Sequence, residues 1–252
     1  MKTLEVHLSP ADFAGLTDRR LDEAVCVVFD VFRATSCMVT ALANGAEAVI
    51  PVADIAEALA LRQEHPDVLL AGERNGLRIP AALSRGTEFE FGNSPREFTA
   101  ERVRGRTIVT TTTNGTRALR ACAHAGAVLV ASFLNLQATA DYLRKLNPAV
   151  LLIVCSGTFE QAAYEDTLGA GALAHLLDGA VPDDGISDAA LMARRIFECA
   201  GDRVSDAASQ SRNGRRLLGI PELRDDVAFC LRRDVCGFAA GLQKDGRVRR
   251  LQ

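Results

Sequence analysis

Short apolar runs alternate along this chain with stretches whose apolar residues recur at helical spacing. Residues 4–8, 24–29, 49–52, 68–71, 127–131 and 150–155 read as strands, as does the β-branched run that begins at Thr107. Between them, residues 35–43, 54–63, 116–124 and 164–175 read as helices, with a further helix capped by Asn135. Local signals mark the joints. Pro10 suits the first turn of a helix, Asn44-Gly45 a left-handed C-cap, Asp54 an N-cap, and Asn75-Gly76 a tight turn. Asn93 or Ser94 suits the cap of a helix with Pro95 at its first position. After a Pro/Asp/Gly-rich loop at 181–185 the pattern turns helical over 187–199, 204–211 and 223–232. A basic turn is expected around 211–217, and residues 247–250 suit a final strand. Strand–helix alternation of this kind predicts an α/β fold, three-layer α/β/α with a mixed, largely parallel sheet. With no long linker, low-complexity tract or solenoid repeat, residues 1–252 are expected to form a single domain.

Composition narrows the class. At 252 residues and 48% hydrophobic content, the chain can bury a substantial core. Its mean hydropathy is +0.08, yet no apolar run approaches the ~20 residues that span a bilayer, so no membrane partner is expected. The N-terminus lacks the apolar centre of a signal peptide, which predicts a cytoplasmic protein. Seven cysteines without a C-x-x-C pair suit reduced, buried thiols. A net charge of -3 with interleaved signs, no Trp and 5% aromatics disfavour nucleic-acid binding.

Candidate chemistry collects at strand ends. The run 24–29 delivers Asp30 and Arg33 to a helix start at Thr35-Ser36. Either this is an Asp–Arg ion pair beside a Thr cap, or Asp30 holds a cation while Arg33 and the helix start receive an anion. Glu73 and Arg74 end the next block of strands, and Asn93-Ser94 marks another polar joint. Four threonines, Thr110 to Thr113, lead into Asn114-Gly115-Thr116-Arg117, a turn able to surround an anion with hydroxyl and amide donors. It lacks the Gly-Lys-Ser/Thr ending of a Walker A loop. Glu165-Asp166 either complements a helix dipole or ligates a hard metal.

Several chemistries are disfavoured. Cys37 and Cys155 lack an Arg six positions on, Asp30 is not followed by a second Asp two positions on, no G-x-S-x-G elbow is present, and four scattered His suit no zinc site. Several carboxylates beside anion-binding turns suit Mg²⁺-assisted chemistry on a phosphate ester.

Asp30-Val31-Phe32-Arg33-Ala34-Thr35-Ser36, Gly72-Glu73-Arg74-Asn75-Gly76, Phe91-Gly92-Asn93-Ser94-Pro95, Thr111-Thr112-Thr113-Asn114-Gly115-Thr116 and Glu165-Asp166-Thr167 together resemble, in order, the 2-phosphosulfolactate phosphatase family. The segment 211–217 and Asp225-Asp226 resemble its C-terminal part. The resemblance implies a Mg²⁺-dependent phosphatase acting on 2-phospho-3-sulfolactate, a step of coenzyme M biosynthesis, or on a related phosphorylated hydroxy acid. Such a substrate carries about four negative charges near neutral pH. Accordingly Asp30, Glu73, Glu165 and Asp166 are the metal candidates, and Asp30, Arg33, Glu165 and Asp166 the catalytic ones. Arg33, Thr35, Ser36, Arg74, Asn93, Ser94, Thr113, Asn114, Gly115, Thr116 and Arg117 are the substrate-binding candidates, with Arg215 a further possible counter-charge. The partner expected is a small anionic phosphate ester, and the assembly a homo-oligomer, most simply a dimer. Two alternatives stand beside this reading: a lyase or transferase using the same anion pockets, and a non-catalytic sensor of an anionic metabolite.

Overall fold

Ten strands make one mixed sheet in the computed structural model of the protein, which describes residues 1–17 and 19–251. They are β1 (Thr3–His7), β2 (Ala24–Phe29), β3 (Ala48–Pro51), β4 (Leu69–Arg74), β5 (Leu77–Arg78), β6 (Thr107–Thr111), β7 (Ala127–Ala131), β8 (Val150–Cys155), β9 (Ala240–Leu242) and β10 (Val248–Arg250). Their spatial order is β1-β8-β2-β7-β9-β10-β3-β6-β4-β5. Eleven helices accompany them: α1 (Phe13–Thr17), α2 (Ala34–Ala43), α3 (Ile55–Glu64), α4 (Ala100–Val103), α5 (Gly115–Ala121), α6 (Leu136–Leu146), α7 (Tyr164–Leu176), α8 (Asp188–Ala200), α9 (Val204–Ser209), α10 (Arg212–Leu218) and α11 (Arg224–Cys230).

The sheet has two parallel blocks, β1-β8-β2-β7 and β3-β6-β4, joined by the antiparallel C-terminal strands β9 and β10. Strand β9 pairs with β7, and β10 with β3, both antiparallel. Three antiparallel steps in a row make the two blocks run in opposite senses. In a flat sheet their carboxyl ends would lie at opposite edges. Here one core cluster contains residues of both blocks, Val28 and Val130 from one and Val49 and Ile108 from the other, packed around Met38, Val39 and Leu42 of α2. The sheet therefore curls about α2, and the ends of β2, β4 and β6 meet at one cavity.

Strand β2 is apolar throughout because both its faces are covered. Ala24, Cys26 and Val28 pack toward α2 and α5, whereas Val25, Val27 and Phe29 pack toward α6, α7 and α8. Gly171 allows α7 to touch α8, since a Cβ there would lie 2.0 Å from the Ala193 carbonyl oxygen. A third cluster joins β4, β6 and the residue after β3 to α3 through Leu70, Val109, Val52 and Ala58.

The three-layer α/β class follows the hydrophobic alternation. Asp54 caps α3 through its carboxylate, which accepts the Glu57 N–H at 2.9 Å, and Gly45 takes the expected left-handed φ of 91°. Two segments differ from expectation. Residues 95–97 make a single 3-10 turn, because Ser94 Oγ donates to Asp226 rather than capping a longer helix. The basic stretch expected as a turn is the helix α10, started by Ser211, whose hydroxyl accepts the Gly214 N–H at 2.9 Å. All seven cysteines are free thiols, six of them buried and Cys199 exposed. Among the described residues no helix is long and apolar enough to cross a membrane.

Candidate active site

A cavity of about 90 Å³ opens where the two blocks meet, several times the ~10–15 Å³ that one water requires. Asp30 and Arg33 reach it from the β2–α2 turn, Glu73 from β4, Thr112, Thr113 and Asn114 from the β6–α5 turn. Another wall is α10 and the turn after it, through Asn213, Arg216, Leu217 and Ile220, with Thr158 and Phe159 beside it. Those four positions of α10 and its turn, spaced three, one and three apart, fall on one face of a helix continuing into its C-terminal turn.

Asp30 is buried and held rigidly. One carboxylate oxygen accepts the Ala34 N–H at 3.1 Å, while the Asp30 main chain exchanges bonds with Thr35. The other oxygen lies against Gly115, where a Cβ would come within 2.7 Å of it. Only glycine leaves room there for the carboxylate. Burial pushes the Asp30 carboxyl up to about 7; the Ala34 N–H opposes the rise, and the nearby Glu165 and Glu73 charges add to it.

Glu73 is fixed from both sides: Oε1 accepts from Thr113 N–H at 2.9 Å and from its hydroxyl at 2.8 Å, and Oε2 from Gly76 N–H at 2.7 Å. Arg33 donates from Nη1 to Asp226 at 2.7 Å and from Nη2 to the Gly76 carbonyl at 2.6 Å. The Arg33–Asp226 pair is buried on both sides. Asp226 also accepts from Ser94 Oγ at 2.7 Å and Arg96 Nε at 2.8 Å, so three distant segments meet on one carboxylate. Thr112 is 4% exposed, lines the cavity, and its hydroxyl has no hydrogen-bond partner among the described residues. A buried hydroxyl in that state has an unmet bond to offer a ligand.

The four carboxylates expected to share a metal fall into two sets. Asp30 and Glu73 line the cavity. Glu165 and Asp166 stand behind its wall on the first turn of α7. Asp166 accepts the Val31 N–H at 2.8 Å and the Gly157 N–H at 3.1 Å, and Glu165 accepts from Asn213 at 2.6 Å. Burial raises both carboxyls, that of Asp166 well above its usual range, with Asp30 the next contributor to its rise. Among the described residues no three Asp, Glu, His or Cys side chains form a ready metal cluster.

The anion-binding candidates divide similarly. Arg33, Asn93, Thr113 and Asn114 line the cavity, and Gly115 backs Asp30. Thr35, Ser36 and Thr116 instead donate their hydroxyls to the carbonyls of Asp30, Val31 and Thr112. The start of α2 is occupied internally, since Asp30 takes the amide that an anion was expected to take. Ser94 serves Asp226, and Arg74 ties β4 to β6 through Thr111 Oγ1 at 3.2 Å. Arg117 forms an exposed ion pair with Glu160, and Arg215 bonds the Gln210 carbonyl. The sequence reading missed Thr112, Asn213 and Arg216 at the cavity. The 213/216/217/220 spacing carried the signal for the last two.

A family model described as 2-phosphosulpholactate phosphatase matches residues 14–244. The chain is 41% identical over 229 residues to a protein of Symbiobacterium thermophilum, covering 89% of this chain and 91% of that one. It is 38% identical over 246 residues to one from Caldanaerobacter subterraneus, covering 95% and 96% respectively. Against one from Caldicellulosiruptor saccharolyticus it is 37% identical over 234 residues, covering 90% and 93%. Each of the three is named a probable 2-phosphosulfolactate phosphatase.

Proposed function

The chain belongs to the 2-phosphosulpholactate phosphatase family of phosphoric monoester hydrolases, and from that premise we propose that it hydrolyses 2-phospho-3-sulfolactate to 3-sulfolactate and phosphate at the Asp30 cavity with the help of Mg²⁺. The observation that carries the reading is the convergence of Asp30, Glu73, Arg33 and the unpartnered Thr112 hydroxyl on one cavity. Two carboxylates there oppose a substrate with about four negative charges, and the Arg33 charge is already matched by Asp226. A divalent cation resolves that conflict. Asp30 and Glu73 fit Mg²⁺, which commonly takes one or two carboxylates and completes its octahedron with water and phosphate oxygens. Bound there, it would neutralise phosphoryl oxygens and lower the pKa of water.

The chain's own groups do the rest. Asp30, fixed by the Ala34 amide and the Gly115 backbone, orients the attacking water and takes its proton as the water oxygen bonds to phosphorus. The bond from phosphorus to the hydroxy-acid oxygen breaks, and that oxygen leaves as the hydroxyl with the proton that Asp30 took from the water, which returns the carboxylate to its starting form. Thr112 donates to a phosphoryl oxygen, and Arg33, held by Asp226 and the Gly76 carbonyl, fixes the turn that frames the site. The product, 3-sulfolactate, suits a place in coenzyme M biosynthesis.

Release of inorganic phosphate from 2-phospho-3-sulfolactate tests the reading directly. Turnover with Mg²⁺ that EDTA abolishes and added Mg²⁺ restores is the expected result. No release with Mg²⁺ present overturns the activity, and undiminished release in EDTA overturns the metal.

A further inference from the structure

Two guanidinium groups flank the tight turn between β4 and β5. Arg33 donates to the carbonyl of Gly76, and Arg216 to that of Asn75. Arg33 is buried and paired with Asp226. Arg216 lines the same cavity from α10, and among the described residues it has no carboxylate within ion-pair distance. Its neighbours Arg212 and Arg215 point elsewhere, to Gln161 and to the Gln210 carbonyl. Among the described residues, one cation with an unmatched charge thus faces the cavity that Asp30 and Glu73 also line.

Charge and placement are both specific. The Asn75 carbonyl fixes one end of the Arg216 guanidinium, leaving its other N–H groups for a planar or tripodal oxyanion. Gly76 takes the left-handed φ of 78° that the turn requires, and the guanidinium packs against it. Asn213, also facing the cavity, is fastened to Thr158 at 2.8 Å and Glu165 at 2.6 Å, so α10 is anchored to the wall of the site.

Resting on the phosphatase reading above, we infer that Arg216 is a specificity-determining residue: it binds the second anionic group of the substrate, a sulfonate or carboxylate borne near the phosphoryl group. The enzyme then selects phosphate monoesters with an adjacent anion over those without one.

Three esters test this: 2-phospho-3-sulfolactate, 2-phospholactate, and isopropyl phosphate, which carries no second anion. In the wild-type enzyme kcat/KM should fall in that order. Replacing a charged hydrogen bond should cost roughly 10- to 100-fold in discrimination. The Arg216→Ala variant is accordingly expected to collapse the ratio of kcat/KM for 2-phospho-3-sulfolactate over isopropyl phosphate by that factor, mainly through KM, with Arg216→Lys recovering part of it. Equal losses on all three esters overturn the inference. Calorimetric binding of 3-sulfolactate and of inorganic phosphate gives a reading independent of turnover. Selective loss of 3-sulfolactate binding in Arg216→Ala supports the role of Arg216 even if the wild type releases no phosphate, and that silence would count against the phosphatase reading alone. Unchanged 3-sulfolactate binding in the variant, or none in the wild type, overturns the inference.

Discussion

At Asp30 a short strand–helix turn turns a common residue into one with an unusual proton affinity. Its carboxyl is pushed to about 7 from an ordinary value near 3.8, chiefly by burial. Between those two values the folded, metal-free protein holds a proton that the unfolded chain has lost. This group's contribution to stability is therefore complete below about pH 4 and lost as pH rises through about 7. In EDTA, thermal melts of the wild type from pH 5 to pH 8 should show falling stability, with a shallower decline in Asp30→Asn. Equal slopes would mean that Asp30 does not titrate in that window. The same substitution removes the group proposed to take the water's proton, so kcat should fall roughly 10²- to 10⁴-fold while the far-UV circular dichroism is kept.

Helix α10 shows how an element carries function that its composition disguises. Ser211-Arg212-Asn213-Gly214-Arg215-Arg216 reads as a charged surface turn, because Gly and Asn favour turns and three Arg favour solvent. One N-cap bond from Gly214 to Ser211 starts the helix, and the helix puts Asn213, Arg216 and Leu217 on the cavity while leaving Arg212 and Arg215 outside. Ser211→Ala should lower stability by about 1 kcal/mol. Because the frayed turn carries Arg216 and Asn213, KM for the anionic ester should rise more than kcat falls. A loss confined to kcat would place α10 in the chemistry rather than in binding.

Across the whole molecule, Asp226 closes the site from a position 193 residues after Arg33. It satisfies Arg33, Ser94 and Arg96 together, tying α11 to the β2–α2 turn and to the segment that follows Phe91. Removing its charge leaves a buried guanidinium unpaired, which typically costs ~3–5 kcal/mol. Asp226→Ala should therefore melt well below the wild type in a thermal scan, and further below than Asp226→Asn, which keeps an acceptor oxygen for Arg33. Identical melting of the two variants would assign the whole loss to the missing charge and none to the acceptor oxygen, and wild-type melting of Asp226→Asn would assign it to packing. The curl of the sheet acts at the same scale. Without β9 and β10 between them the two blocks would share no strand pairing, so the C-terminal residues build the cavity without lining it.

The periodicity of apolar residues was enough to place seven of the strands and the α/β class, since both depend on which faces are buried, a property written locally along the chain. The final strand expected at 247–250 is β10, whereas β5 and β9, two and three residues long, were not legible because so short a run displays no period. Asp30, Glu73, Asn114 and Arg33 were legible at the site because they sit where apolar runs break into polar turns. Spacing could put Arg216 on one helix face with Asn213, but the unpaired Thr112 hydroxyl, the unmatched Arg216 charge and the Asp226 hub were decided by tertiary structure. Which hydroxyl is left unpaired, which arginine lacks a carboxylate, and which carboxylates share a cavity depend on distances between residues far apart in sequence, and no local pattern encodes a distance.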